Sequence, residues 1–133
     1  MLMFLGTFEP NIMDKGRLAL PKKIRQELGE HGVVLTTGFE KCILGFTEKK
    51  WEETTNMELG KPLFSDKEGR DLRRLMCASA MNLDLDSQGR FIIPENMLKY
   101  SEIVDMIVII GAGDHFEIWN KNKWEEYRSN LGR

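Results

Sequence analysis

Apolar and polar residues alternate in short runs along this chain, and the same series of runs occurs twice. In the first half, 7–13 and 17–20 are extended stretches around Asp14-Lys15-Gly16, a pattern that predicts a β-hairpin with Gly16 supplying a positive φ. Pro21 suits the first position of a helix, Ile24 and Leu28 share one face of it, and Gly29 closes it. A strand follows over 33–37, with a return strand at 41–46 after a turn centred on Gly38. Thr47 is placed to cap a helix that carries Trp51 and runs to about Met57. The second half predicts a hairpin from 83–86 and 90–93 around Ser87-Gln88-Gly89, a helix opened by Pro94, and strands at 105–110 and 115–119. Asn120 then takes the capping role of Thr47, before a helix through Trp124 and Tyr127. Between the halves, Ser65-Asp66-Lys67-Glu68 reads as a capping box opening a helix to about Ala80. That helix has Leu72, Leu75, Met76 and Ser79 on one face and Arg70, Arg73 and Arg74 on the other, with Gly60-Lys61-Pro62 before it as a hinge.

The two halves are copies at a constant displacement. Gly89 − Gly16, Arg90 − Arg17, Pro94 − Pro21, Gly111 − Gly38, Lys123 − Lys50, Trp124 − Trp51, Glu125 − Glu52 and Glu126 − Glu53 all equal 73. These eight identities fall in one gapless window, where about two or three would arise by chance from average composition. Leu20 with Ile93, Ile24 with Met97, Val34 with Ile107 and Phe46 with Trp119 are conservative matches at the same offset. A unit of two hairpins and a short helix buries too little apolar surface to fold alone. The expectation is therefore an α+β, mostly β fold, in which the copies interleave as one pseudo-two-fold, β-barrel-like domain with flanking helices. The repeats are read as 5–58 and 81–127, with a linker helix in 59–80.

Composition narrows the function classes. With 41% hydrophobic and 30% charged residues the chain is that of a globular protein. The longest apolar stretch, Met106 to Ile110, is too short to span a bilayer, and the first five residues lack the basic flank of a signal peptide, so a cytoplasmic location and no membrane partner are expected. Cys42 and Cys77 lie 77 − 42 = 35 residues apart without a CxxC and read as buried reduced thiols, while His31 and His115 lack sequence neighbours that suggest a metal or a triad. No metal, no cofactor and no small-molecule substrate are expected. There is no Ser/His/Asp set and no phosphate-cradling glycine loop, so an enzyme is not expected either. Net charge is −2, and any nucleic-acid binding must come from a local patch.

Such a patch exists in the first copy, where Lys15, Arg17, Lys22, Lys23 and Arg25 place five cations within eleven residues (15 to 25) containing no acid. Both hairpin turns end in Gly-Arg, at Gly16-Arg17 and Gly89-Arg90, each followed by three apolar residues and Pro. Arginine offers a planar fork for phosphate oxygens and for the guanine edge, and a two-stranded ribbon fits the major groove. Arg90 has a second reading, in which Asp86, four residues earlier, locks it as a structural turn pair. Arg70, Arg73 and Arg74 read as a solvated face before a contact surface, and Trp51 and Trp124 as packing anchors.

The paired turn-Arg-apolar-Pro segments, the Gly-to-Trp spacing of 51 − 38 = 124 − 111 = 13, and Phe116-Glu117-Ile118-Trp119 resemble the MraZ family, bacterial regulators built from two AbrB-like swapped-hairpin halves. The resemblance implies sequence-specific binding of double-stranded DNA at repeated promoter elements ahead of division and cell-wall genes, autorepression, a nucleoid-associated location and assembly into a homo-oligomeric ring. In a ring the modest patch of one subunit would be repeated, and avidity would rise by roughly 10²–10⁴. The candidate DNA-binding residues are then Lys15, Gly16, Arg17, Lys22, Lys23, Arg25 and Arg90. The family pattern of Asp, three residues and Arg is present as Asp86 to Arg90, but Met13 stands at the first-copy position and Asp14 one place later. A protein-interaction scaffold that touches no DNA is the other class the acidic balance allows.

Overall fold

The computed structural model describes residues 2–57, 60 and 62–132. The strands are β1 (Thr7–Phe8), β2 (Arg17–Ala19), β3 (Val33–Thr37), β4 (Ile43–Phe46), β5 (Met81–Leu83), β6 (Arg90–Ile92), β7 (Ile107–Gly111) and β8 (Phe116–Asn120). The helices are α1 (Lys22–Leu28), α2 (Glu48–Met57), α3 (Lys67–Ser79), α4 (Glu95–Ser101) and α5 (Lys121–Ser129). All pairings are antiparallel, in a six-stranded sheet ordered β1-β7-β8-β4-β3-β5 and a separate two-stranded ribbon of β2 and β6.

The order of the sheet reads as a palindrome once strands at the 73-residue offset are equated. β4 and β8 pair at its centre with Leu44 opposite Glu117, and 117 − 44 = 73. In the ribbon Leu18 lies opposite Phe91, and 91 − 18 = 73. At both places a residue faces its own counterpart, which is where a two-fold axis relating the copies must pass. Bonds around the ribbon obey the same operation: Leu20 donates to the Gly89 carbonyl at 3.0 Å and Ile93 to the Gly16 carbonyl at 2.9 Å. The copies therefore interleave.

The expected barrel-like closure is not formed. Among the described residues the strands make an open sheet whose edges, β1 and β5, are two and three residues long. The chain leaves the sheet at Glu9-Pro10 on one side and Asp84 on the other to enter the ribbon, and a proline supplies no donor with which to extend the edge.

Strand alternation sends side chains to both faces of the sheet, and both are covered. One face packs Leu35, Ile43, Ile109, Phe116 and Ile118 against Leu18 and Phe91 of the ribbon and against Ile24, Leu28 and Met97 of α1 and α4. The other packs Val34, Leu44, Phe46 and Trp119 against Trp51, Leu72, Met76, Trp124 and Tyr127 of α2, α3 and α5. The tryptophans of the matched helices are thus packing anchors: Trp51 lies 5.3 Å from the Phe46 ring and Trp124 5.2 Å from Trp119. Fully burying a leucine such as Leu18 stabilises the fold by about 1.5–3 kcal/mol, so the ribbon is part of the core as well as its lid.

Local signals hold at most helix ends. Thr47 accepts from the Lys50 amide at 3.0 Å and Asn120 from that of Lys123 at 3.2 Å. The linker helix is capped one residue later than its sequence suggests: Asp66, not Ser65, accepts from the Gly69 amide at 2.9 Å. Met76 of that helix is buried, but Leu75 is exposed, and Ser79 bonds Thr36 and Thr37 at 2.9 and 2.8 Å. The helix rests on β3 through one narrow strip, so Leu75 falls off its edge. The proposed hinge at Gly60-Lys61-Pro62 includes Lys61, outside the described residues.

Candidate nucleic-acid interface

β2 and β6 present alternate side chains to opposite sides of the ribbon. Leu18 and Phe91 point into the core, which leaves Arg17, Ala19, Arg90 and Ile92 on the outer face. The register sets Arg17 opposite Ile92 and Ala19 opposite Arg90. The two arginines, far apart in sequence, are therefore diagonal neighbours on one surface. Gly16 and Gly89 are buried at the turns with φ of 79° and 73°, values that favour glycine.

The two arginines differ in what holds them. Asp86 accepts from the Gln88 amide at 2.8 Å, the Arg90 amide at 2.9 Å and the Arg90 Nε at 2.7 Å. Donation from the Arg90 amide and its guanidinium holds the Asp86 carboxyl below the usual carboxylate range. Arg90 is consequently pinned and its charge balanced. Glu95, at the start of α4, pairs with Lys99 at 3.3 Å. In the first copy Met13 repeats the backbone role alone, through Met13 N to Arg17 O at 2.8 Å. Asp14 does not replace the missing carboxylate: among the described residues neither it nor Arg17 makes a side-chain hydrogen bond or ion pair. Without an acceptor beneath it the first turn adopts a different shape, with Lys15 at φ 64°.

The other cations divide. Lys15, Lys22 and Lys23 are exposed and, among the described residues, have no acidic partner. Lys22 and Lys23 occupy the first turn of α1, where the helix dipole opposes positive charge, while the matching helix α4 begins with Glu95. Two lysines there oppose the helix's own stability. Arg25 is different. It is half-buried, its stem lies over Gly89 with Cδ 1.8 Å from where a Cβ would stand, and its Nε is buried without a partner. Arg25 lines a cleft of about 510 Å³ together with Glu30, Asp84 and Asp86. Its counterpart at 25 + 73 is Leu98, which lies over Gly16 in the same manner. This crossing of each helix over the other copy's turn escaped the sequence reading. The signal that would have revealed it is that Arg25 aligns with a leucine.

Arg70 and Arg74 of α3 are engaged locally. Arg70 donates to the carbonyls of Leu63 and Phe64 at 2.8 and 3.1 Å, and Arg74 pairs with Asp71 at 3.2 Å.

Two further residues stand differently from their sequence reading. Cys77 is exposed while Cys42 is buried, and burial, helped by the Glu117 and Glu40 carboxylates, pushes the Cys42 thiol far up. His115 has two carboxylate partners, Asp114 at 2.7 Å on Nδ1 and Glu117 at 2.9 Å on Nε2. Glu117 also accepts from Trp119 Nε1 at 2.9 Å. Among the described residues no group of three His, Cys, Asp or Glu is arranged to hold a metal, and no helix is long and apolar enough to cross a membrane.

Comparison with known proteins places this geometry. The family model described as "MraZ protein, putative antitoxin-like" matches the chain twice, over residues 3–74 and 76–133. The chain belongs to the MraZ family. The transcriptional regulator MraZ of Roseiflexus sp. (strain RS-1) is 43% identical over 127 residues, covering 96% of this chain and 87% of the relative. The transcriptional regulator MraZ of Clavibacter michiganensis is 42% identical over 94% of this chain and 86% of its own length. That of Oenococcus oeni is 38% identical over the same shares, 94% and 86%. These MraZ relatives are named as regulators of transcription, not as enzymes, and the two matches to the MraZ model fall on the two copies.

Proposed function

We propose that this chain is a sequence-specific, DNA-binding transcriptional regulator. In this reading it acts in the cytoplasm at the nucleoid, assembles as a homo-oligomeric ring on repeated promoter elements, and represses its own division and cell-wall gene cluster. Residues 5–58 and 81–127 are the swapped-hairpin repeats, and 59–80 carry the linker helix. The observation that carries the reading is the uncompensated Arg17 on the outer face of a two-stranded ribbon, with Lys15, Lys22 and Lys23 exposed beside it. A ribbon of this kind fits the major groove, and free cations at its mouth suit the flanking phosphates. Arg90 sits on the same face already neutralised, so it contributes shape and hydrogen-bond direction more than charge. The relatives' names support regulation of transcription. Exposed apolar residues around the linker, such as Phe64 at 93% and Met57 at 77% exposure, offer surface for assembly.

The test is binding of the full chain to its own upstream region by fluorescence anisotropy over a salt series. Arg17→Ala should weaken binding by roughly ten- to a hundredfold and reduce the slope of log K against log salt by about one. Wild-type-like affinity and slope in that variant would remove Arg17 from the interface, and no binding by the wild-type chain would favour a scaffold that touches no DNA.

A further inference from the structure

Charge accounts for two of the four outer positions of the ribbon, free Arg17 and pinned Arg90, and Ala19 is small enough to leave both accessible. Charge does not account for Ile92. This isoleucine is 53% exposed at the end of β6, directly opposite Arg17. A lone exposed apolar side chain is ordinary on a protein surface. Its address is not ordinary, because it stands on the element that the DNA-binding reading sends into the groove, beside the guanidinium with no protein partner. The position is also asymmetric. Its counterpart is Ala19, since 92 − 73 = 19, so the ribbon's two-fold axis relates Arg17 to Arg90 but a large apolar group to a methyl.

Directly opposed side chains on an antiparallel pair have Cβ atoms about 4.5–5.5 Å apart. Bases on one strand of DNA rise about 3.4 Å each, so two such side chains reach the same or adjacent base pairs. In the major groove guanine offers the O6/N7 acceptor pair that suits arginine, and thymine offers a methyl group, which no other unmodified base carries there. An apolar side chain gains by desolvating that methyl and gains nothing from a cytosine edge.

We propose that Ile92 is a specificity-determining residue, reading the 5-methyl group of a thymine beside the base taken by Arg17. Ala19, too short to do the same on the other side, makes a pseudo-symmetric ribbon read an asymmetric sequence. This inference rests on the DNA-binding reading above.

The experiment begins with duplexes selected from a random-sequence library by the full wild-type chain. Each thymine of the selected site is then replaced singly by uracil, which pairs identically and lacks only the methyl. One position should show about fourfold weaker wild-type binding, the worth of one buried methyl. Ile92→Ala should lose a similar factor on the thymine duplex, show no further loss with uracil, and keep the wild-type salt slope. Ile92 is half in water, so circular dichroism should show an unchanged fold. The inference is overturned if uracil weakens binding at no position, or if the uracil penalty persists in Ile92→Ala while Arg17→Ala weakens binding as expected above. In that case DNA binding stands without this role for Ile92. Failure of the wild-type chain to select any sequence would overturn both readings.

Discussion

Asp86 accepts three donors at one turn, and Met13, its counterpart, accepts none with its side chain. Grafting the carboxylate by Met13→Asp should let it bond the Arg17 amide and guanidinium as Asp86 does those of Arg90. The expected result is a higher melting temperature together with weaker DNA binding, because Arg17 would then be both pinned and neutralised. Asp86→Ala should do the opposite to stability, lowering the melting temperature. A Met13→Asp chain that gained stability and kept full affinity would show that the freedom of Arg17 is irrelevant. His115 carries a second residue-scale prediction. Burial opposes its charge, but hydrogen bonds to Glu117 and Asp114 outweigh burial and hold its pKa above the ordinary 6.5. Glu117 is likewise disfavoured by burial, yet the His115 and Trp119 donors keep it below 4.5. A raised imidazole stabilises the fold below pH 6.5 and loses that contribution as pH rises through its folded value. A lowered carboxyl contributes above pH 4.5 and loses it as pH falls through its folded value. The melting-temperature gap between wild type and His115→Gln should therefore be widest at about pH 4.5–6.5 and shrink above it, as read by thermal unfolding across pH.

At the scale of elements, the central pair β4–β8 shows how two copies share one core without being identical. Gly45 lies opposite Phe116, whose ring occupies the place of a glycine Cβ to within 2.3 Å. The image of that pair is Ile43 opposite Ile118. One side of the axis pairs a large residue with a glycine whose space the ring fills, and the other pairs two of middle size. Gly45→Ala should overpack the core at a cost of about 1–3 kcal/mol. Adding Phe116→Leu should recover part of it, and a double-mutant cycle in urea measures the coupling. Elements themselves were readable from sequence because they are set by near neighbours: turn glycines, capping Thr47 and Asn120, the β-branched run at 33–37. Contacts between elements were not. The crossing of Arg25 over Gly89, the partners of His115 and the exposure of Leu75 and Cys77 depend on which element lies against which. Only the 73-residue offset carried information at that range, and the strand register adds that Leu18–Phe91 and Leu44–Glu117 are the counterparts that face one another where the axis passes.

For the whole molecule, interleaving means that neither copy owns its core. The ribbon takes one strand from each, and the sheet is joined at its middle across the axis. A chain ending at Met57 should therefore be unfolded as a monomer and acquire sheet structure only by pairing with a second such chain. Circular dichroism together with sedimentation equilibrium decides this, and a folded monomer would contradict the topology. The division of charge is also a property at this scale. The axis relates positions faithfully but leaves the free cations on the first copy and the balanced turn pair on the second, so a net charge of −2 conceals a basic end.

The pairing of Leu18 with Phe91 has a consequence in time. On a ribosome adding about 5–20 residues per second, β2 is made some 4–15 seconds before β6 exists to meet it. During that interval the first copy is a set of apolar strands with open edges, and its best available partner is the same segment of a neighbouring nascent chain. Contacts at such separation also slow folding after release.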